Sequence, residues 1–289
     1  MRQRHSNLGP WLAILPAFIF LLAITLFPFL YTVFISLHDW YLPSSKTFVG
    51  LGNFAEVLTD RDFLPALART IYFTIGCLAL EHGLGLALAI FLGSIKKLRG
   101  FLTASFMIPM MLPPVVAALI WKLMFRPTTG VLNYFLEVLH LPPQLWVHGQ
   151  HSVIPSIILV DVWQWTPFVM LVLLGGLNSI PQELFEVAEL DGASMRRQIL
   201  HLVIPLLKPF FLITLLLRFI YVFTTFDIIM SLSSGGPGRS SATIYFMGYL
   251  TSFEFLQMGR GATWNILIFL MVLVISLFLV NKIFKGSKL

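Results

Sequence analysis

The stretch Glu183–Pro209, ELFEVAELDGASMRRQILHLVIPLLKP, breaks into an oily chain with acids, a lone glycine, two arginines and two prolines. Apolar runs flank it on both sides, so its punctuation decides the architecture. Ser179-Ile180-Pro181-Gln182 has capping-box spacing, Ser to Gln three residues on, with a proline tolerated in the first turn, and predicts a helix start. Glu183 then falls where a helix N-terminus favours an acid. Gly192 supplies the left-handed conformation that commonly ends a helix. Ser194 is placed to cap a second helix, with Arg196 and Arg197 facing water and Ile199, Leu202 and Val203 facing an apolar surface. Pro205 and Pro209 suit a break where the chain re-enters an apolar phase. The expectation is a helix, a turn and a helix.

The composition says what that apolar phase is. Of 289 residues, 57% are hydrophobic and 11% charged, with a mean hydropathy of +0.87; a soluble domain carries about 25% charged residues. This is a membrane protein. The net charge of +6 is spread among short loops, which is no footprint of nucleic-acid binding. The single cysteine, Cys77, lies in an apolar run and excludes an intrachain disulfide.

A helical span needs roughly 20 apolar residues to cross about 30 Å of hydrocarbon. Six runs qualify, at about 11–37, 70–95, 101–125, 153–177, 205–231 and 263–284. They predict an all-α polytopic protein: one transmembrane domain over residues 1–289, with a loop at 178–204. The first run is too long for a signal peptide and is expected to stay as an anchor.

Lysine and arginine fall unevenly among the loops. Arg2, Arg4, Lys96, Lys97, Arg99, Arg196, Arg197, Lys208, Lys282, Lys285 and Lys288 fall on the side of the N-terminus. The longer loops opposite hold Lys46, Arg61, Arg69, Arg126, Arg239 and Arg260. The positive-inside rule places both termini, and the quoted stretch, in the cytoplasm.

An acidic first helix is a poor match for anionic headgroups. Leu184, Phe185 and Ala188 form a stripe suited to a groove on another protein, and a merely structural loop is the alternative. The segment resembles the EAA loop of ABC-transporter permeases: Glu186-Val187-Ala188, Gly192 after three intervening residues, then Leu202-Val203-Ile204-Pro205 after nine more. Asp191-Gly192-Ala193 is similar to the family as well. FVGLGNF (48–54), Phe63…Ala66-Leu67…Thr70, DVWQWTPF (161–168), TTFDIIMSLSSGGPG (224–238) and GRGATWNILIF (259–269) resemble the first of the two permease subunits of carbohydrate and glycerol-phosphate importers. The resemblance implies that Glu183, Leu184, Phe185, Glu186, Ala188, Asp191, Gly192 and Pro205 belong to a coupling helix and its return. That helix would dock in a cytoplasmic ATPase. It implies a second permease subunit, two ATPase subunits, an extracytoplasmic binding protein and an inner-membrane location in a prokaryote. A stand-alone channel or facilitator for small polar solutes is the rival reading; a membrane-embedded enzyme lacks a catalytic cluster.

No Gly-x-x-x-x-Gly-Lys-Ser/Thr sequence occurs, so no cofactor is expected in this chain, and ATP and Mg belong on the partner ATPase. SSGGPG at 233–238 reads as a turn. His148 and His151 have no completing ligand nearby, so no metal site is expected.

Charges within spans are costly and tend to face a bundle interior or a wet cavity. Glu81, His82, Asp161, Gln164, Arg218 and Asp227 are such residues, each either a structural pair or a pathway group, while Lys122 and Asp161 lie close enough to span ends to snorkel. Pro109, Pro113, Pro114 and Pro167 are expected to kink spans three and four. A sugar presents a polar rim and apolar C–H faces, which Trp163, Gln164, Trp165, Tyr221, Asp227, Trp264 and Asn265 could meet. Membrane tryptophans are otherwise interfacial. Trp163 and Trp165 point to different helix faces; if Trp163 reaches the pathway, Tyr221 and Asn265 are its expected companions.

Overall fold

The computed structural model describes residues 8–95 and 97–286. Arg2, Arg4, Lys96 and Lys288, which carry part of the orientation argument, lie outside the described residues. In chain order the helices are α1 (Leu8–Ser36), α2 (Gly52–Leu58), α3 (Phe63–Ser94), α4 (Arg99–Met107), α5 (Pro114–Met124), α6 (Val131–Val138) and α7 (Val153–Asn178). They continue with α8 (Gln182–Leu190), α9 (Met195–Gln198), α10 (Ile204–Phe223), α11 (Asp227–Ser233), α12 (Ile244–Tyr249) and α13 (Met258–Gly286). A short antiparallel ribbon, β1 (His38–Asp39) and β2 (Thr47–Phe48), pairs His38 with Phe48 and Asp39 with Thr47.

Among the described residues, five helical stretches are long and apolar enough to cross a membrane: Ile14–Ser36, Phe63–Ser94, Val153–Asn178, Met195–Phe223 and Met258–Ile283. Pro114–Met124 is a shorter apolar helix. The third expected span, 101–125, is therefore not one helix. It breaks into α4, a single 3₁₀ turn at Pro109–Met111 and α5, because Pro109, Pro113 and Pro114 remove backbone donors and clash with a continuous helix.

Two other boundaries differ from expectation. Pro205 and Pro209 do not break the chain. A π turn over Ile199–Val203 feeds directly into α10, with Pro205 in its first turn and Pro209 inside it; the wider turn accommodates Pro205, whose ring would crowd a regular α-turn. The expected fifth span, 205–231, instead ends at Phe223. There Thr224 Oγ1 donates to Ile220 O (2.8 Å) and Thr225 Oγ1 to Tyr221 O (3.0 Å), satisfying carbonyls that a continuing helix would have used. The chain restarts as α11 at Asp227.

By its internal contacts the chain comprises two compact units. One is the chain up to Phe63 with Met247–Leu267; the other is Leu64–Phe246 with the chain from Ile268 onward. In the first, Asn53 of FVGLGNF donates from Nδ2 to Ser36 O and His38 O, both at 2.9 Å, and closes the end of α1. Arg260 of GRGATWN reaches Glu56 and Asp60, each at 3.3 Å, and Trp264 packs on Phe63 with ring centroids 5.4 Å apart. A Cβ on Gly259 would collide with the carbonyl oxygen of His38, so only glycine fits there. Three of the stretches that carry the family resemblance thus meet in one place.

In the second unit α7 is central, with 67% of its apolar window buried. Its Val169, Met170, Leu173 and Leu174 pack with Ala89 and Leu92 of α3. Phe106 of α4 and Phe210 and Phe211 of α10 close over them. Thr70 Oγ1 accepts the Ile244 N–H at 3.0 Å and ties α3 to α12.

Candidate functional site: an exposed helical hairpin and a buried ion cluster

The helix, turn and helix expected at 178–204 are present as α8 and α9. The first cap differs from the expected capping box. Ser179 still closes α7, its Oγ donating to Gly176 O at 2.7 Å, and α8 starts behind Pro181 without a side-chain cap. α7 runs through to Asn178, which leaves Ser179 in helical geometry and spends its hydroxyl on the preceding helix.

The turn is a Schellman motif. The Ala193 N–H bonds Ala188 O at 2.9 Å and the Gly192 N–H bonds Glu189 O at 3.0 Å, with Gly192 at φ +73° in the left-handed region that a Cβ disfavours. Ser194 is the first cap residue of α9, again without a side-chain bond. Gln198 closes the hairpin from within, donating from Nε2 to Ala193 O at 3.1 Å.

Glu183, Leu184, Glu186, Val187, Glu189, Leu190, Asp191 and Gly192 are exposed, as is Pro205 on the return. Phe185 and Ala188 are half-buried. The uncovered apolar edge of α8 is accordingly Leu184, Val187 and Leu190, the last 87% exposed. Burying a leucine contributes about 1.5–3 kcal/mol, so this edge is a surface that gains from being covered.

The second feature lies among α3, α7 and α10. Arg218, 2% exposed, donates from Nε to Glu81 Oε2 at 2.7 Å, from Nη2 to Glu81 Oε1 at 2.5 Å and from Nη2 to Asp161 Oδ2 at 2.6 Å. Asp161 is wholly buried and does not snorkel. With no water to solvate it, each of these charges depends on the others. Cys77, Glu81 and Asp161 bring possible ligand atoms within 4.8 Å of one another, but Arg218 already supplies the cation for both carboxylates. His82, next to Glu81, lies 3.2 Å from Thr214 Oγ1 through Nε2.

The tryptophans divide as their spacing requires. Trp163 meets Trp121 edge to face at 5.6 Å. Trp165 faces Tyr221 at 4.8 Å, and its ring is 4.7 Å from the Arg218 guanidinium carbon. Tyr221 is therefore a companion of Trp165, not of Trp163. Asn265, exposed on α13, belongs to the other compact unit. Gln164 donates from Nε2 to Leu112 O at 2.8 Å and so holds a carbonyl left without a helical donor at the proline break. Lys122 does not snorkel; it donates to Ser231 O of α11 at 2.8 Å.

Asp227 opens α11 and lines a cavity of about 200 Å³ with Tyr221, Thr224, Thr225, Phe226 and Tyr245. Thr225 and Tyr245 were not singled out from the sequence, and Trp165 was weighed there only as the alternative to Trp163, although helical spacing carried a signal for Trp165 and Thr225. Asp161 and Trp165 are four apart, and Arg218, Tyr221 and Thr225 follow at i, i+3 and i+7.

A polytopic helical body with an exposed two-helix hairpin between spans is the form of a transport permease. The chain belongs to the family of binding-protein-dependent transport system inner membrane components, whose model matches residues 83–287. It is an ABC-transporter permease subunit. It is 37% identical over 274 residues to the trehalose/maltose transport system permease protein MalF of Thermococcus litoralis, covering 94% of this chain and 92% of that one. It is 32% identical over 279 residues to the trehalose transport system permease protein SugA of Mycobacterium tuberculosis, covering 96% and 89%. In fold it is similar to a chain of a bacterial alginate ABC transporter solved in complex with an alginate pentasaccharide-bound periplasmic protein, with a TM-score of 0.82 at 20% identity, covering 93% and 91%.

Proposed function

We propose that this permease forms one half of a saccharide import pathway in the inner membrane of a prokaryote, with both termini in the cytoplasm. The observation that carries the coupling part of this reading is the α8–α9 hairpin. Its Schellman turn at Gly192 and its bare Leu184, Val187 and Leu190 edge suit a helix-in-groove contact. Glu183, Leu184, Phe185, Glu186, Ala188, Asp191, Gly192 and Pro205 serve as the coupling element.

A second permease subunit completes the pathway, two ATP-binding cassette subunits bind ATP and Mg, and an extracytoplasmic binding protein delivers the sugar. The exposed flank of Ile14–Leu30, where no residue is buried, suits contact with lipid or the second permease. ATP-driven closure moves α8, and the continuous π and α path from Met195 to Phe223 passes that displacement to Arg218 and the ion cluster. Trp163, Gln164, Tyr221, Asp227 and Asn265 are the pathway residues of this reading, with Gln164 acting by bracing the broken third span. The names of the two relatives support a saccharide substrate.

Purification and uptake test the reading. The permease should leave the membrane in mild detergent together with ATPase subunits, and uptake of trehalose or maltose into proteoliposomes should require ATP and the binding protein. Solute flux through the permease alone, without nucleotide, would identify a facilitator instead.

A further inference from the structure

α6 is amphipathic the wrong way round for a helix in water. Val131, Tyr134, Phe135 and Val138 recur at i, i+3, i+4 and i+7 and share one face; all four are exposed, at 40% to 61%. Asn133, on the opposite face, is buried. It donates from Nδ2 to Pro127 O at 2.8 Å and to Gln144 O at 3.0 Å, and its Oδ1 accepts the Gln144 N–H at 3.1 Å and the Trp146 indole N–H at 2.8 Å. A surface helix of a water-soluble domain turns its apolar stripe to the core and its amide to solvent. The four bonds of Asn133 fix the reverse, since unmaking them would leave buried polar groups without partners.

The same bonds fix the depth of α6. Trp146 stacks on Phe125, the residue after α5, with ring centroids 5.2 Å apart, and its carbonyl accepts from Oγ of Ser152, the residue before α7, at 2.5 Å. The 26 residues of α7 are about 39 Å long, against about 30 Å of hydrocarbon. Its first turn therefore stands at the headgroup level, and Asn133 ties α6 to that level through Trp146. The stripe itself says what covers it. Contacts between helices in a membrane favour small and hydrogen-bonding residues, and docking surfaces for soluble partners are about as polar as the rest of a protein surface. Two aromatic and two β-branched residues match neither. They match the apolar face of a helix that lies in a bilayer interface.

We infer that α6 is an interfacial helix whose partner is lipid, in the leaflet at the start of α7 and so opposite the α8–α9 hairpin. Lying there, it pins the end of α5, which the proline break joins to α4 through the turn Pro109–Met111. Cargo plays no part in this contact.

Spin labels read it. Phe135→Cys, Val138→Cys and Glu137→Cys each receive a nitroxide; all three positions are exposed, and Cys77 is wholly buried, so the label goes to the introduced thiol. Glu137, the one charged residue of α6, lies about a third of a turn off the stripe and serves as the water-facing reference. Each variant is measured in lipid nanodiscs with its co-isolating subunits, and the unsubstituted complex supplies the background. Molecular oxygen concentrates in hydrocarbon, whereas nickel ethylenediaminediacetate stays in water. With the stripe about 5–10 Å inside the boundary, collisions with oxygen should exceed those with nickel by at least about threefold at positions 135 and 138, and the order should reverse at 137. Nickel ahead of oxygen at 135 and 138 would place the stripe in water and overturn the inference. Oxygen ahead at all three would sink the whole helix in hydrocarbon and contradict an interfacial placement. Protection from both reagents would mean that a protein, the second permease or another subunit, covers the stripe, and would overturn it equally.

Discussion

Arg218 on α10 grips Glu81 on α3 with two parallel hydrogen bonds, at 2.7 and 2.5 Å, across 137 residues of sequence. The same guanidinium holds Asp161 on α7, so one side chain sets the positions of three spans. Breaking a buried pair leaves an uncompensated charge, whereas replacing the whole group by neutral residues of similar volume is often tolerated. Arg218→Met alone is expected to destabilise the permease by about 3–5 kcal/mol. Arg218→Met combined with Glu81→Gln and Asp161→Asn should regain most of that loss. Thermal unfolding of the purified complex in detergent reads both; equal destabilisation by the single and triple variants would contradict an electrostatic role.

Gln164 is expected to act on the broken third span. Gln164→Leu keeps the volume but leaves the Leu112 carbonyl without its donor, which should cost about 1–3 kcal/mol. Hydrogen exchange at α5 reports the same change as faster opening of Pro114–Met124. Unaltered exchange there would mean that the bond does not brace the break.

Gly192 separates a backbone requirement from a requirement for space. Its φ of +73° disfavours L side chains, yet among the described residues, its two chain neighbours aside, no atom lies within 4 Å of where a Cβ would stand. Asparagine tolerates the left-handed region and valine does not. Gly192→Asn should retain most uptake in proteoliposomes, and Gly192→Val should lose at least about tenfold while still inserting in the membrane, if the turn geometry is what matters. Equal loss in both variants would point to a partner surface packed against the glycine itself.

How far the sequence could be read follows from which interactions are local. Five of the six expected spans and the α8–α9 hairpin were legible because apolar length, Gly192 and the spacing from Glu186 to Pro205 are properties of neighbouring residues, whereas the third expected span is broken by its prolines. The ending of α10 at Phe223 was not, since Thr224 and Thr225 stop it by turning their hydroxyls back onto the helix, without a proline or glycine to mark the place. The prolines at 205 and 209 misled for the opposite reason, because a π turn absorbed the first of them. Glu81, Asp161 and Arg218 could each be flagged as costly in a span. Their mutual pairing, across 137 and 57 residues, depends on how three helices pack. Trp165 was passed over in favour of Trp163 because a two-residue spacing says that the rings diverge without saying which of them meets Tyr221.

The central claim is that this membrane body receives its driving force through the exposed edge of α8. The most direct measurement is ATP-driven trehalose uptake by proteoliposomes carrying Leu184→Asp with Val187→Asp, alongside the amount of ATPase subunit that co-purifies. Both side chains are exposed, so the chain should fold and insert normally. The account predicts that uptake and co-purified ATPase fall together by at least about tenfold, as expected when charge replaces the apolar anchors of a docked helix. Uptake at the unaltered rate with the ATPase absent would contradict it.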